Sequence, residues 1–107
     1  MSPIPRLVGM IHLLPLPGSP GFKGSIDEVL ETAVADAGKL AGVGFPALLI
    51  ENFGDAPFHA DRSDPETVAA MTLAAQVVSD ATALPFGVNV LRNDALTALG
   101  IAAVTGA

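Results

Sequence analysis

Three times along this chain a short apolar run passes through a loop into a segment whose apolar residues recur every three or four positions. That alternation constrains the fold more than any single motif. The first run is Leu7-Val8-Gly9-Met10-Ile11-His12-Leu13, bounded by prolines. The second is Ala47-Leu48-Leu49-Ile50, closed by Glu51-Asn52. The third is Phe86-Gly87-Val88-Asn89-Val90, after Pro85. Short runs without polar alternation read as strands covered on both faces, the habit of parallel sheets.

The segments between them read as helices. Pro15 to Gly24 holds three Pro and three Gly and is a loop. Ser25 followed by Glu28 has the form of a capping box. A helical stripe then runs through Ile26, Val29, Leu30, Ala33, Val34, Ala37 and Leu40. Gly42 is the expected C-terminal stop. Asp64-Pro65-Glu66 opens a second helix, expected to reach about Ala83 with Val68, Met71, Ala75 and Val78 inward. Asn93 or Asp94 caps a third, with Leu96, Leu99 and Ala103 as its expected inner face.

The order β-α-β-α-β-α places the chain in the α/β class with a parallel sheet. Two architectures fit: a (β/α)8 barrel cut short, or an open doubly wound sheet. Gly18, Gly21 and Gly24 do not form the G-x-G-x-x-G dinucleotide fingerprint. Three strands make a poor sheet with unpaired edges, whereas a full barrel needs ~250 residues. The chain has 107, and it stops at Gly106-Ala107 just after an apolar run. The expectation is therefore the N-terminal three β-α units of a (β/α)8 TIM barrel, with residues 1–107 forming an incomplete barrel domain.

Composition narrows the function classes. Half the residues are hydrophobic and 15% are charged, too apolar a balance for a disordered chain. There is no cysteine, which excludes a disulfide framework and thiolate chemistry. The net charge of -6 argues against a nucleic-acid partner, which calls for a basic patch. The uncharged run from Ala95 to Ala107 falls short of the ~20 residues of a membrane span. Leu7 to Pro17 is apolar after Arg6, but His12, Pro15 and Pro17 interrupt it, unlike a signal peptide. A cytoplasmic protein without a membrane span is expected, with any membrane contact made through a protein partner.

In parallel α/β folds ligands sit at the carboxyl ends of the strands. There this chain concentrates its polar residues: His12 after strand one; Glu51, Asn52 and Asp55 after strand two; Asn89, Arg92 and Asn93 after strand three. Side-chain alternation puts Asn89 opposite Val88 and Val90, and Glu51 opposite Leu48 and Ile50. If the face carrying Val8, Met10 and His12 is also inward, His12, Glu51 and Asn89 converge. A histidine beside a carboxylate suits acid-base work, because the carboxylate fixes its tautomer and stabilises its charge. His12 and Glu51 are thus the candidate catalytic pair, and Asn52, Asp55, Asn89, Arg92 and Asn93 the candidate ligand contacts. The alternative is a hydrogen-bonded trio that only closes the end of the sheet. Lys23, Arg62 and Arg92 all follow strands, a placement suited to an anion such as phosphate or carboxylate. His12, Glu51 and Asp55 are metal-ligand types, but no H-x-x-x-H or acidic triplet supports a centre, and no cofactor is indicated. Phe22, Phe53 and Phe58 are expected to pack the loops.

Three stretches together resemble one family. They are Val8-Gly9-Met10-Ile11-His12-Leu13-Leu14-Pro15-Leu16-Pro17-Gly18-Ser19-Pro20, Ile50-Glu51-Asn52-Phe53-Gly54-Asp55-Ala56-Pro57-Phe58, and Gly87-Val88-Asn89-Val90-Leu91-Arg92-Asn93-Asp94-Ala95. Pro65-Glu66-Thr67-Val68-Ala69-Ala70-Met71 fits as well. The chain resembles the BtpA/SgcQ family, one member type of which is linked to photosystem I biogenesis. The resemblance implies a ribulose-phosphate-binding-like barrel. Strands four to eight, and a phosphate site after strands seven and eight, would then lie beyond Ala107. It carries over no settled reaction. The implied function is binding or transformation of a small phosphorylated metabolite. The alternative is a non-catalytic factor for the biogenesis or stability of photosystem I or another membrane complex. A homo-oligomer is expected for the full-length protein.

Overall fold

The computed structural model describes residues 5–52, 64–91 and 94–107. Its elements alternate as the hydrophobic pattern requires: β1 (Gly9–His12), α1 (Ile26–Gly42), β2 (Leu48–Glu51), α2 (Pro65–Ala81), β3 (Phe86–Asn89) and α3 (Ala95–Thr105). The strands form one parallel sheet in the order β1-β2-β3.

One face of the sheet meets the helices. Ile11, Leu48, Ile50, Val88 and Val90 pack there against Val29, Ala33 and Ala37 of α1, Met71, Ala74 and Val78 of α2, and Ile101 of α3. Each large side chain buried in this layer contributes roughly 1.5–3 kcal/mol. Alanines let the layers approach closely. Gly9 does the same for β1, since a Cβ there would meet Leu40 Cδ1 at 3.1 Å and Leu48 Cδ2 at 3.3 Å. The other face carries Met10, His12, Leu49, Glu51, Gly87 and Asn89, none of which joins the buried cluster.

Helix ends follow local chemistry. Ser25 caps α1, its side chain accepting from Glu28 N–H at 3.1 Å. At the far end Gly42 is still helical, and the expected stop shifts to Gly44 at φ +96°. Phe45 N–H donates to Leu40 O and Gly44 N–H to Ala41 O, both at 3.1 Å. This paired 6→1 and 5→2 closure needs its left-handed residue one place beyond the cap, at Gly44. Helix α2 begins with Pro65 after an extended Asp64. It stops at Ala81, earlier than expected, because Thr82 is extended and its hydroxyl accepts from Leu84 N–H at 3.2 Å. Its buried side carries Thr67, Ala70, Met71, Ala74, Ala75 and Val78, with Val68 at the margin.

The expected inner face of α3 is corrected. Leu96 and Leu99 are 72% and 70% exposed and Ala103 is exposed, while Ile101 and Thr105 are buried. The segment is apolar nearly all round, so its pattern does not select a face. Asp94 helps to fix the start of the helix, accepting from Thr97 N–H at 3.1 Å and from Thr97 Oγ1 at 2.7 Å.

Candidate functional site at the carboxyl ends of the strands

Register builds the site. His12 of β1 lies beside Glu51 of β2, and Glu51 lies beside Asn89 of β3. All three are the last residues of their strands. Parallel strands that stop in step bring these side chains together on the face away from the helices. His12 Nε2 lies 3.3 Å from Glu51 Oε1. Asn89 Nδ2 donates to Glu51 Oε2 at 2.8 Å. Glu51 is the centre of the row, with its side chain 13% exposed against 48% for His12. The convergence inferred from alternation therefore forms, with the carboxylate between an imidazole and an amide.

Such a row can orient an imidazole and offer polar atoms to a ligand. His12 also borders a hollow of about 320 Å3 lined by Met10, Asp36, Lys39 and Leu40. Sequence reasoning did not bring Asp36 and Lys39 to His12. Their nearness depends on how α1 is rotated against β1, and Lys39 reads first as a charge suited to a helix C-terminus.

Asn52 is next along β2 and almost fully buried. Alternation turns it from the Glu51 face, and its Oδ1 accepts from Leu91 N–H at 2.7 Å just after β3. Asn52 thus ties the exits of two strands together. Lys23 lines a mostly apolar cavity of about 260 Å3 between the β1–α1 loop and α1, with Leu14, Pro15, Phe22, Glu28 and Val29. Phe22 packs against the core there, as expected for a loop aromatic. Asp55, Arg92 and Asn93, with Phe53, Phe58 and Arg62, lie outside the described residues.

Comparison with known proteins adds a second line. The BtpA family model matches residues 5–107. The chain belongs to the BtpA family. Within it the chain is similar to an uncharacterized protein of Pyrococcus horikoshii, 49% identical over 96 residues. The match covers 90% of this chain and 37% of that protein. It is similar to the photosystem I biogenesis protein BtpA of Synechocystis, 46% identical over 101 residues, covering 94% of this chain and 35% of the relative. It is similar also to the putative sgc region protein SgcQ of Escherichia coli, 36% identical over 104 residues, with 94% and 38% covered. The chain thus spans between a third and two-fifths of the length of these BtpA-family relatives. No solved structure matches it. No helix among the described residues is long and apolar enough to cross a membrane.

Proposed function

We propose that this chain supplies the first three strand-helix units of a (β/α)8 barrel that binds or transforms a small phosphorylated metabolite. The observation that carries this reading is the row at the carboxyl ends of neighbouring parallel strands, where Glu51 lies 3.3 Å from His12 Nε2 and accepts a hydrogen bond from Asn89. Ligands of α/β sheets and barrels sit there. In this reading His12 moves a proton, Glu51 holds its ring and balances its charge, and Asn89 orients the ligand. Arg92 and Asn93 follow Asn89 in sequence and Asp55 follows Glu51, so they contribute further polar contacts. Asn52 supports the site by holding the turn after β3.

Calorimetric titration of the protein with sugar phosphates and nucleotides tests the reading. One of them is expected to bind, and Glu51→Gln is expected to weaken that binding at least tenfold while the fold persists. If nothing binds, or if the variant binds and turns over as the parent does, the row serves only to tie strand ends together.

A second reading rests on the name of the Synechocystis relative: a non-catalytic factor in the biogenesis of a membrane complex, acting through a protein partner. Co-purification of the intact protein with a membrane complex would support the second reading. Normal accumulation of that complex in a deletion strain would remove it.

A further inference from the structure

We propose that the cavity between the β1–α1 loop and α1 is a second ligand site, which takes a small zwitterion with an apolar side chain, such as a free aliphatic amino acid. It is separate from the strand-end row and does not depend on the function proposed for that row.

The walls are apolar. Leu14 and Pro15 follow β1, Phe22 lies further along the loop, and Val29 belongs to α1. Val29 is 3% exposed, and Leu14 and Phe22 are half-buried against the core. Two turns hold the loop: Ser19 N–H donates to Leu16 O at 3.0 Å, and Phe22 N–H donates to Ser19 O at 3.1 Å. Gly21 lets the loop fold back closely, because a Cβ there would meet Pro15 Cγ at 3.1 Å. What remains is a hollow of about 260 Å3. At ~30 Å3 for each water it has room for roughly nine non-hydrogen atoms, the size of leucine. Apolar walls with a few polar groups at the mouth are the usual make-up of a small-molecule site.

The rim decides the class of ligand. Lys23 and Glu28 both stand exposed at the mouth. Among the described residues neither is held in an ion pair, so an ammonium and a carboxylate share one rim without neutralising each other. A simple anion would meet Lys23 but be repelled by Glu28, and a simple cation the reverse. An uncharged apolar molecule would use neither. A zwitterion uses both, with its carboxylate toward Lys23, its ammonium toward Glu28 and its side chain against the apolar walls. Ser25 lines the same mouth. Its Oγ accepts from Glu28 N–H at 3.1 Å, which leaves its own O–H to donate to the ligand carboxylate.

Calorimetric titration of the intact protein with leucine tests this, beside isocaproate, isoamylamine and glycine. These three lack, in turn, the ammonium, the carboxylate and the apolar side chain. Leucine is expected to bind, and isocaproate and isoamylamine about three- to tenfold more weakly, the scale of one contact with a charged group. Glycine should lose the apolar contacts and bind more weakly than leucine as well. Lys23→Met and Glu28→Gln change exposed side chains and should each weaken leucine binding to the same degree. Lys23→Met should not weaken isoamylamine, nor Glu28→Gln isocaproate, a pattern that a general loss of structure would not produce. Methyl NMR locates the site: leucine should shift the Leu14 and Val29 methyl resonances saturably. The proposal is overturned if leucine does not bind, if either singly charged analogue binds as tightly, if both variants bind leucine as the parent does, or if binding leaves those methyl groups unmoved.

Discussion

Asn52 is 2% exposed, and it gives one carbonyl oxygen to the Leu91 N–H. That backbone group sits where β3 has ended and no ladder partner remains. Replacing Asn52 by Leu keeps the volume but leaves the N–H without its acceptor. The expected cost is about 1–3 kcal/mol, the usual penalty for an orphaned buried donor. Urea unfolding measures it, and an unchanged midpoint would mean that the turn finds another partner. Asp94 makes a related prediction nearby. Its carboxylate takes both the amide and the hydroxyl of Thr97, so Asp94→Ala should cost about 1–2 kcal/mol and Asp94→Asn much less. Equal losses in the two variants would place the effect in charge rather than in capping.

At the scale of elements, α3 separates pattern from packing. Ile101 is buried and Leu99 is 70% exposed, although Leu99 is the position that its spacing from Leu96 and Ala103 favours. Ile101→Ala should cost about 2–5 kcal/mol, and Leu99→Ala less than about 0.5 kcal/mol. The reverse order in denaturant unfolding would mean that α3 sits rotated. The end of α1 offers a pair of opposite sign. Gly44→Ala forces a Cβ into a left-handed conformation, φ +96°, and should destabilise by about 1 kcal/mol. Gly42→Ala stays helical, meets nothing within 4 Å, and should stabilise by up to about 0.5–1 kcal/mol. These contrasts mark where sequence reasoning runs out. Strands and the first helix are legible because Ile11, Leu48 and Ile50, or Val29, Ala33 and Ala37, must face one way to be buried at all. The row of His12, Glu51 and Asn89 is legible because alternation and parallel register act together. The inner face of α3 is not, because Ala-Leu-Thr-Ala-Leu-Gly-Ile is apolar on every side. Nor is the nearness of Asp36 and Lys39 to His12, which depends on helix rotation, or the inward turn of Asn52, which competes with its place beside Glu51 in the polar cluster.

For the whole molecule, the open face of the sheet carries the decisive question. Met10 is 40% exposed and Val8 41%, and Leu49 stands between their strand and Gly87 on the same side. A three-stranded layer standing alone leaves this face in water, where a charged substitution is nearly neutral. A (β/α)8 barrel encloses it, because inward side chains of the strands stack into a packed interior. Met10→Lys distinguishes the two architectures. In an enclosed barrel it buries an ammonium without a partner, and the loss should exceed about 3 kcal/mol. On an open layer it should stay within about 0.5 kcal/mol. Position 12, two residues on, faces the same side but lies at the strand end, where a barrel remains open to ligand. His12→Gln should therefore leave stability within about 1 kcal/mol in either architecture. Urea unfolding of both variants against the parent provides the comparison. A small loss for Met10→Lys would remove the barrel, and a large loss for His12→Gln would move the row from the mouth of the site into its packed interior.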